Sequence, residues 1–360
     1  MREMGMNTVS ELFRQLTEAS LHWAILRNYE QLPSLDLGGR RLTDLDLAVC
    51  HDELDRFRSI LVRVAKEHGW DALTECGHYA QSPLVQHRHE VFRFYRVEPL
   101  EFLQVEAFHA YIVCALPLLD ESQMLEDRCF DRRRGLFHLA PAKENMYRMV
   151  QIAAEMRSGG SPAKLERYSA QLTEFARRRP EEFAVALKLY FSPFAVAAAG
   201  SLCGGDKRGF LRRVRRARLH FVLRALLKRP VATIRSVLVR HAENRRRVHS
   251  RQCGRVVNVS AESPAQRELF LLVLDTLSRQ RIVYEWREMS ESRVTSGQHP
   301  LLERGGMLIR WTPAEEAVIH IDHQADADSV TRQVVALQVS RHRVLHGSAE
   351  AVRTLEATPA

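Results

Sequence analysis

The chain contains no uninterrupted run of eighteen apolar residues, so nothing in it reads as a membrane-spanning helix. It also lacks any Cys-x-x-Cys pair. Cys50, Cys76, Cys114, Cys129, Cys203 and Cys253 stand singly, without the spacing of a metal site, and read as reduced thiols in a reducing compartment. No signal-peptide pattern opens the sequence; Thr8 to Ala19 instead carries the spacing of a polar-faced helix, so a cytosolic location is expected. Disorder is excluded by composition, because 45% of the residues are apolar and 27% are charged. At 360 residues the chain exceeds the usual size of one hydrophobic core, and two or three domains are expected.

What is present is a pair of acids in an apolar strand. Thr43-Asp44-Leu45-Asp46-Leu47-Ala48-Val49 alternates, and side chains two apart on a strand share a face. Asp44 and Asp46 therefore point the same way and repel, which raises a carboxyl pKa unless a cation lies between them. Such a pair at a strand end holds a divalent metal by hard oxygens; the plainer reading is two solvated acids. The surrounding elements read as an α/β unit. A strand is expected at His22–Arg27, a helix from Asp52 as N-cap to His68, and strands at Arg88–Val97 and Glu101–Phe108. His87 and His89 share a strand face, but with Arg88 and Arg93 nearby they read as a basic edge more than as metal ligands.

Leu26-Arg27-Asn28-Tyr29-Glu30-Gln31-Leu32-Pro33, together with the acidic strand, resembles the DNA polymerase β-like nucleotidyltransferases. The match is to the branch often fused to a thymidylate-kinase-like domain and found in bacterial surface-polysaccharide gene clusters. The resemblance implies a D-x-D pair, a third carboxylate on a later strand, two Mg²⁺ ions and a nucleoside triphosphate. Glu106, within Leu103-Gln104-Val105-Glu106-Ala107-Phe108, matches the context of the third acid, and Glu101 is the alternate. Their spacing of five lets only one join the site on a regular strand. The family's Gly-Ser turn is replaced here by Arg27-Asn28, and a guanidinium offers a bidentate substitute for backbone amides. The implied triphosphate holders are Arg27 and Asn28, with Arg40 and Arg41.

Residues 141–251 read as helical throughout. Pro141 opens a helix whose apolar positions run through Met146, Val150 and Ile152 and which ends at Ser158-Gly159-Gly160. Within this region Lys207 to Arg251 carries sixteen basic residues against the single acid Glu243, a net +15 within a chain of net +9, which leaves the remainder at −6. Phe210, Leu211, Leu219, Phe221, Val222 and Leu226 are interleaved. The segment has three readings: contact with an anionic membrane surface, phosphate binding on nucleic acid, or a solvated face against an acidic neighbour. No nucleic-acid-binding motif accompanies the arginines, which argues against the second reading.

Residues 254–360 resemble a kinase module without its phosphate tools. Gly254 to Ser260 reads as a strand and Pro264 to Leu277 as the helix behind it, but the loop Ser260-Ala261-Glu262-Ser263-Pro264-Ala265-Gln266-Arg267 has neither glycine nor lysine. Glu316 to Asp322 and Ala327 to Leu345 resemble the last strand and helix of thymidylate-kinase-like domains. In His320-Ile321-Asp322-His323 the histidines read as strand-edge groups more than as metal ligands.

The expected architecture is α+β: a nucleotidyltransferase-like mixed sheet over 1–140, a helical region over 141–253 with the basic segment 207–251, and a truncated P-loop-kinase-like α/β tail over 254–360. The resemblance implies metal-dependent transfer of a nucleotidyl group from an NTP to a hydroxyl acceptor in surface-polysaccharide synthesis. Asp44, Asp46 and Glu106 would serve as metal ligands and catalytic groups, and no kinase activity is expected. The competing expectation is a non-catalytic binding or scaffold protein of a polysaccharide assembly complex, lying at the inner face of the membrane through its basic helices.

Overall fold

In the computed structural model the described residues are 8–33, 44–76, 89–96, 101–249, 255–279, 282–283, 285–289, 301–302 and 306–341. Their contacts form two compact units. One comprises Met1–Ile60, Pro83–His89 and Glu106–His241, the other Leu61–Ser82, Glu90–Val105 and Ala242–Ala360. The chain is a mixture of helices and several sheets, and no helix among the described residues is long and apolar enough to cross a membrane.

Val9, Leu12, Phe13 and Leu16 recur at helical spacing and are buried along α1 (Thr8–Glu18). Buried Trp23, Ala24 and Ile25 form β1 (Trp23–Ile25), which pairs antiparallel with β2 (Asp44–Val49), Trp23 opposite Val49 and Ile25 opposite Leu47. On β2 only Asp44 is exposed; Leu45 to Val49 are all buried, so Asp46 lies in the interior. The helix expected from an Asp52 cap starts differently. Residues His51–Glu53 make a 3-10 turn with Asp52 inside it, and α2 follows as Leu54–Glu67. A partner distant in sequence meets this turn: the His51 N–H donates to the Glu121 carboxylate at 2.6 Å.

Strands β3 (Ala72–Cys76) and β4 (His89–Arg96) are antiparallel, and β5 (Glu101–Phe108) follows β4 in sheet order. A separate hairpin joins β6 (Ala110–Val113) and β7 (Leu116–Asp120) through Cys114 and Ala115, both at positive φ. Asp120 then caps the short helix α3 (Glu121–Leu125) in a reciprocal box with Gln123. Strands β8 (Cys129–Asp131) and β9 (Leu136–His138) are antiparallel, and β9 runs parallel to β1 with His138 beside Ile25. In the first unit β2 therefore lies between β1 and the end of β5.

Six α-helices come next, and prolines open four of them, where the missing N–H is no loss. The six are α4 (Pro141–Ser158), α5 (Pro162–Arg178) and α6 (Pro180–Ala186), then α7 (Phe194–Cys203), α8 (Lys207–Lys228) and α9 (Pro230–His249). Gly159 ends α4 at φ 71°, where a glycine avoids the Cβ penalty. The core of this unit joins Leu26, just past β1, and Ala48 of β2 to Met146, Met149, Leu172 and Phe210 of the helices.

The second unit carries a parallel sheet. Its elements are β10 (Arg255–Ala261), α10 (Pro264–Arg279), β11 (Trp286–Glu288), β12 (Met307–Trp311), β13 (Ile319–Ile321) and α11 (Ala327–Arg341). The strand order is β11-β12-β10-β13, with every recorded pair parallel. Val257 and Val259 of β10 pack against Phe270, Leu274 and Val334, and the same core takes in Tyr95 and Phe102.

Candidate functional site

Backbone geometry at the end of β1 aims Arg27 at the acidic strand. The Leu26 N–H donates to the Asp46 carbonyl at 2.9 Å, and Asn28 then turns the chain at φ 58°, ψ 32°, a left-handed conformation that asparagine tolerates better than most residues. Arg27 thereby faces Asp46: its Nε and Nη2 each lie 2.5 Å from Asp46 Oδ2. Its Nη1 donates to Gln151 Oε1 and lies 3.5 Å from the Tyr168 hydroxyl. Burial is the largest influence on the Arg27 pKa and acts to lower it, but Asp46 together with Tyr168, Tyr147 and Tyr111 outweighs it and holds the guanidinium above its ordinary value.

Helix α4 supplies the supporting layer, since Glu144, Tyr147, Arg148 and Gln151 recur at steps of three and four. Glu144 accepts from the Asn28 N–H at 3.3 Å and from Arg148 Nη2 at 2.5 Å. Burial pushes the Glu144 carboxyl up to about 7; Arg148 opposes that shift and Glu30 adds to it. Tyr147 stacks on Tyr111 at 3.6 Å, and its hydroxyl accepts from Gln151 Nε2 at 2.7 Å. Burial pushes Tyr147 up to about 12, Arg27 opposes, and the charges of Asp46 and Glu106 reinforce the rise. Tyr147 thus senses both acids.

A cavity of about 260 Å³ opens over these groups. Asp44 and Asp46 line it as acids, and Arg27, Lys164 and Arg167 line it as bases. The last two come from α5, as does Tyr168, over whose ring Lys164 lies at 5.8 Å and Arg167 at 5.3 Å. Lys164 is also paired with Glu155. Asn28 lines the same cavity, and its buried Oδ1 accepts no hydrogen bond among the described residues. Sequence reading missed the α5 residues, although Lys164-x-x-Arg167-Tyr168 places a cation, a cation and an aromatic within one helical turn.

Of the residues expected at the site, Arg27, Asn28, Asp44 and Asp46 meet at this cavity. Glu106 is half-buried on β5, the strand next to β2. Glu101 is engaged elsewhere, its carboxylate 2.5 Å from Arg96 Nη1 in the second unit. Arg40, Arg41 and His87 lie outside the described residues, as does the side chain of His89. Carboxylates are the donors a hard divalent cation takes, and at the cavity these are Asp44 and Asp46, joined by the unpartnered Asn28 oxygen; Glu106 is not among the residues lining it. In the conformation seen here Asp46 is held by Arg27, and among the described residues no three acids, histidines or cysteines are gathered to hold a metal.

In the second unit the two histidines of the His320-to-His323 stretch are each paired. His320 Nδ1 lies 3.2 Å from Ser260 Oγ, and His323 pairs with Glu262. At the start of α10 Ser263 and Gln266 bond reciprocally, the Ser263 N–H to Gln266 Oε1 at 2.7 Å and the Gln266 N–H to Ser263 Oγ at 3.3 Å. That capping box occupies a helix-terminal amide that a phosphate would otherwise take. Cys50, Cys114, Cys129 and Cys203 are free thiols. Comparison with known proteins finds no matching family model, no matching curated protein and no matching solved structure.

Proposed function

We propose that the first unit is a nucleotidyltransferase that moves a nucleotidyl group from an NTP to a hydroxyl acceptor. The observation that carries this reading is one cavity lined both by carboxylates from β2 and by Arg27, Lys164 and Arg167. A metal–triphosphate requires that division of charge, anionic oxygens for the cations and guanidinium or ammonium groups for the phosphates. Asp44, Asp46 and Glu106 would hold Mg²⁺, which when bound supplies charge neutralisation at the α-phosphate and the leaving pyrophosphate.

The protein's own groups then have distinct tasks. Arg27 leaves Asp46 for the phosphates, freeing the carboxylate as the triphosphate enters, so the ion pair seen here is the resting partner of both groups. Lys164 and Arg167 hold the outer phosphates, and the Tyr168 ring lines the cavity beside them. Glu106 takes the proton of the acceptor hydroxyl while that oxygen bonds to the α-phosphorus and the bond to the β-phosphate oxygen breaks. The sequence resemblance suggests a sugar, polyol or glycan-precursor acceptor. The parallel sheet of the second unit and its capped β10–α10 turn support reading the tail as a degenerate P-loop-kinase-like module.

The competing reading is a non-catalytic binding protein that uses the same cavity as a cup. It is favoured by the Arg27–Asp46 pair, which neutralises one acid of the D-x-D motif without any metal. Pyrophosphate release during incubation with Mg²⁺, each NTP and a panel of sugar and polyol acceptors decides between them. Release that disappears with Asp44→Asn supports transfer; thermal stabilisation by NTP with no release under any acceptor supports the cup.

A further inference from the structure

Fourteen large apolar side chains are exposed among the described residues, and ten of them lie between residues 185 and 238. That concentration is organised. On α8 the buried face is Phe210, Val214, Ala217 and Phe221. The opposite face begins with Arg212, Arg215 and Arg216 and continues, at steps of three and four, with Leu219, Leu223 and Leu227. After Arg229, α9 carries an exposed apolar row of its own at steps of three and four, Val231, Ile234 and Leu238, with Leu227 86% and Val231 79% exposed.

This face is held out by the fold. The start of α9 is anchored by buried Thr233 and by Ser236, whose Oγ donates to the Ala115 carbonyl at 2.7 Å. Arg224 Nη2 donates to the Leu189 carbonyl at 3.2 Å, which keeps exposed Leu189 beside α8. Phe194, half exposed, packs edge-on against His220 of α8 at 5.4 Å. A patch of this extent on one face marks a surface that meets something apolar.

Charge selects the occupant. The arginines that precede and flank the leucine row would be set against their own kind in a face-to-face pair of identical chains. A nucleic acid would satisfy the arginines and leave the leucines in water. An anionic bilayer satisfies both, with phosphate headgroups against the guanidinium groups and acyl chains against leucine, valine and phenylalanine. We propose that the outward face of α8 and α9 is a docking surface for an anionic lipid bilayer, on which both helices lie in the plane of the headgroups. The proposal stands apart from the nucleotide site, none of whose residues it uses.

The test is cosedimentation of the full chain with phosphatidylcholine vesicles, with and without phosphatidylglycerol, across a salt series. Binding is expected to the phosphatidylglycerol vesicles and to weaken as the Debye length falls from about 30 Å at 0.01 M to about 3 Å at 1 M. The variant Leu223→Ser/Leu227→Ser/Val231→Ser/Ile234→Ser is expected to melt like the parent chain and to bind about tenfold less tightly, because insertion scales with buried apolar area. The variant Arg212→Ser/Arg213→Ser/Arg215→Ser/Arg216→Ser is expected to lose the salt-dependent part. Equal binding to both vesicle types overturns the proposal, as does no binding to either. Unfolding of the serine variant, which would place the row in a core, overturns it as well. So does a dimer in sedimentation equilibrium that the serine substitutions dissociate while vesicle binding is absent.

Discussion

Asp44 and Asp46 are two positions apart in the chain and differ in environment. Asp44 is exposed on β2, so Asp44→Asn should change the stability of the ligand-free chain by no more than about 0.5 kcal/mol. The same substitution should remove stabilisation by Mg²⁺ and NTP, which in the parent reaches about 2.7 kcal/mol at a hundred times the dissociation constant. Asp46→Asn strands Arg27, whose side chain is 18% exposed, without its counter-charge and should cost about 3–5 kcal/mol. Thermal melts of both variants with and without ligand check this; equal losses in the ligand-free proteins would show that the ion pair contributes nothing. Glu144 gives a second prediction. Its carboxyl is held up to about 7 against an ordinary 4.5, so between those values the unfolded chain sheds a proton that the folded chain keeps. Stability from this group is full below pH 4.5, falls by roughly 3 kcal/mol as pH rises to about 7, and is flat above. Denaturant midpoints measured from pH 4 to 8 should show that decline in the parent and a flatter curve in Glu144→Gln.

Among the elements, those with apolar periodicity were legible and those held by distant partners were not. The spacing of Val9, Leu12 and Leu16 and the alternation of Asp44 to Val49 are properties of the residues themselves, and α1 and β2 appear where they predict. The hairpin of β6 and β7 had no such signal, because its turn residues Cys114 and Ala115 adopt positive φ without the glycine or asparagine that announces such a turn. Asp52 resembled a helix cap, but it lies inside a 3-10 turn whose His51 N–H donates to the carboxylate of Glu121, and the helix starts at Leu54. At α10 the capping box of Ser263 and Gln266 closes the helix end to phosphate. ATP is therefore expected to leave the melting of the full chain carrying Asp44→Asn unchanged, and a clear stabilisation would place an ATP site in the tail. Ser263→Ala should cost about 1 kcal/mol through loss of the cap.

At the scale of the whole molecule the compact units do not follow chain order. Tyr95 and Phe102 belong to the core built by Val257, Phe270 and Val334, although more than a hundred residues separate them in the sequence. A chain ended at residue 253 should therefore expose both aromatic rings and become aggregation-prone. Sedimentation velocity of that chain beside the full protein measures it; a monomeric, cooperatively folding fragment would show that the two rings do not need the tail.

Local order sufficed for the acidic strand, for the proline-started helices, for the glycine stop at 159 and for the absence of a glycine-rich phosphate loop, since each follows from the conformational preferences of a few neighbouring residues. The composition of the cavity did not follow from local order. Lys164, Arg167 and Tyr168 reach Asp44 and Asp46 because α5 packs on α4 in one core with the strands, and Arg27 binds Asp46 because Asn28 turns left-handed above a carboxylate nineteen residues from Arg27. The leucine row of α8 and α9 likewise took its meaning from folding. Sequence spacing defines a face, and only the packing of Phe210, Val214 and Phe221 on the other side decided that this face meets solvent.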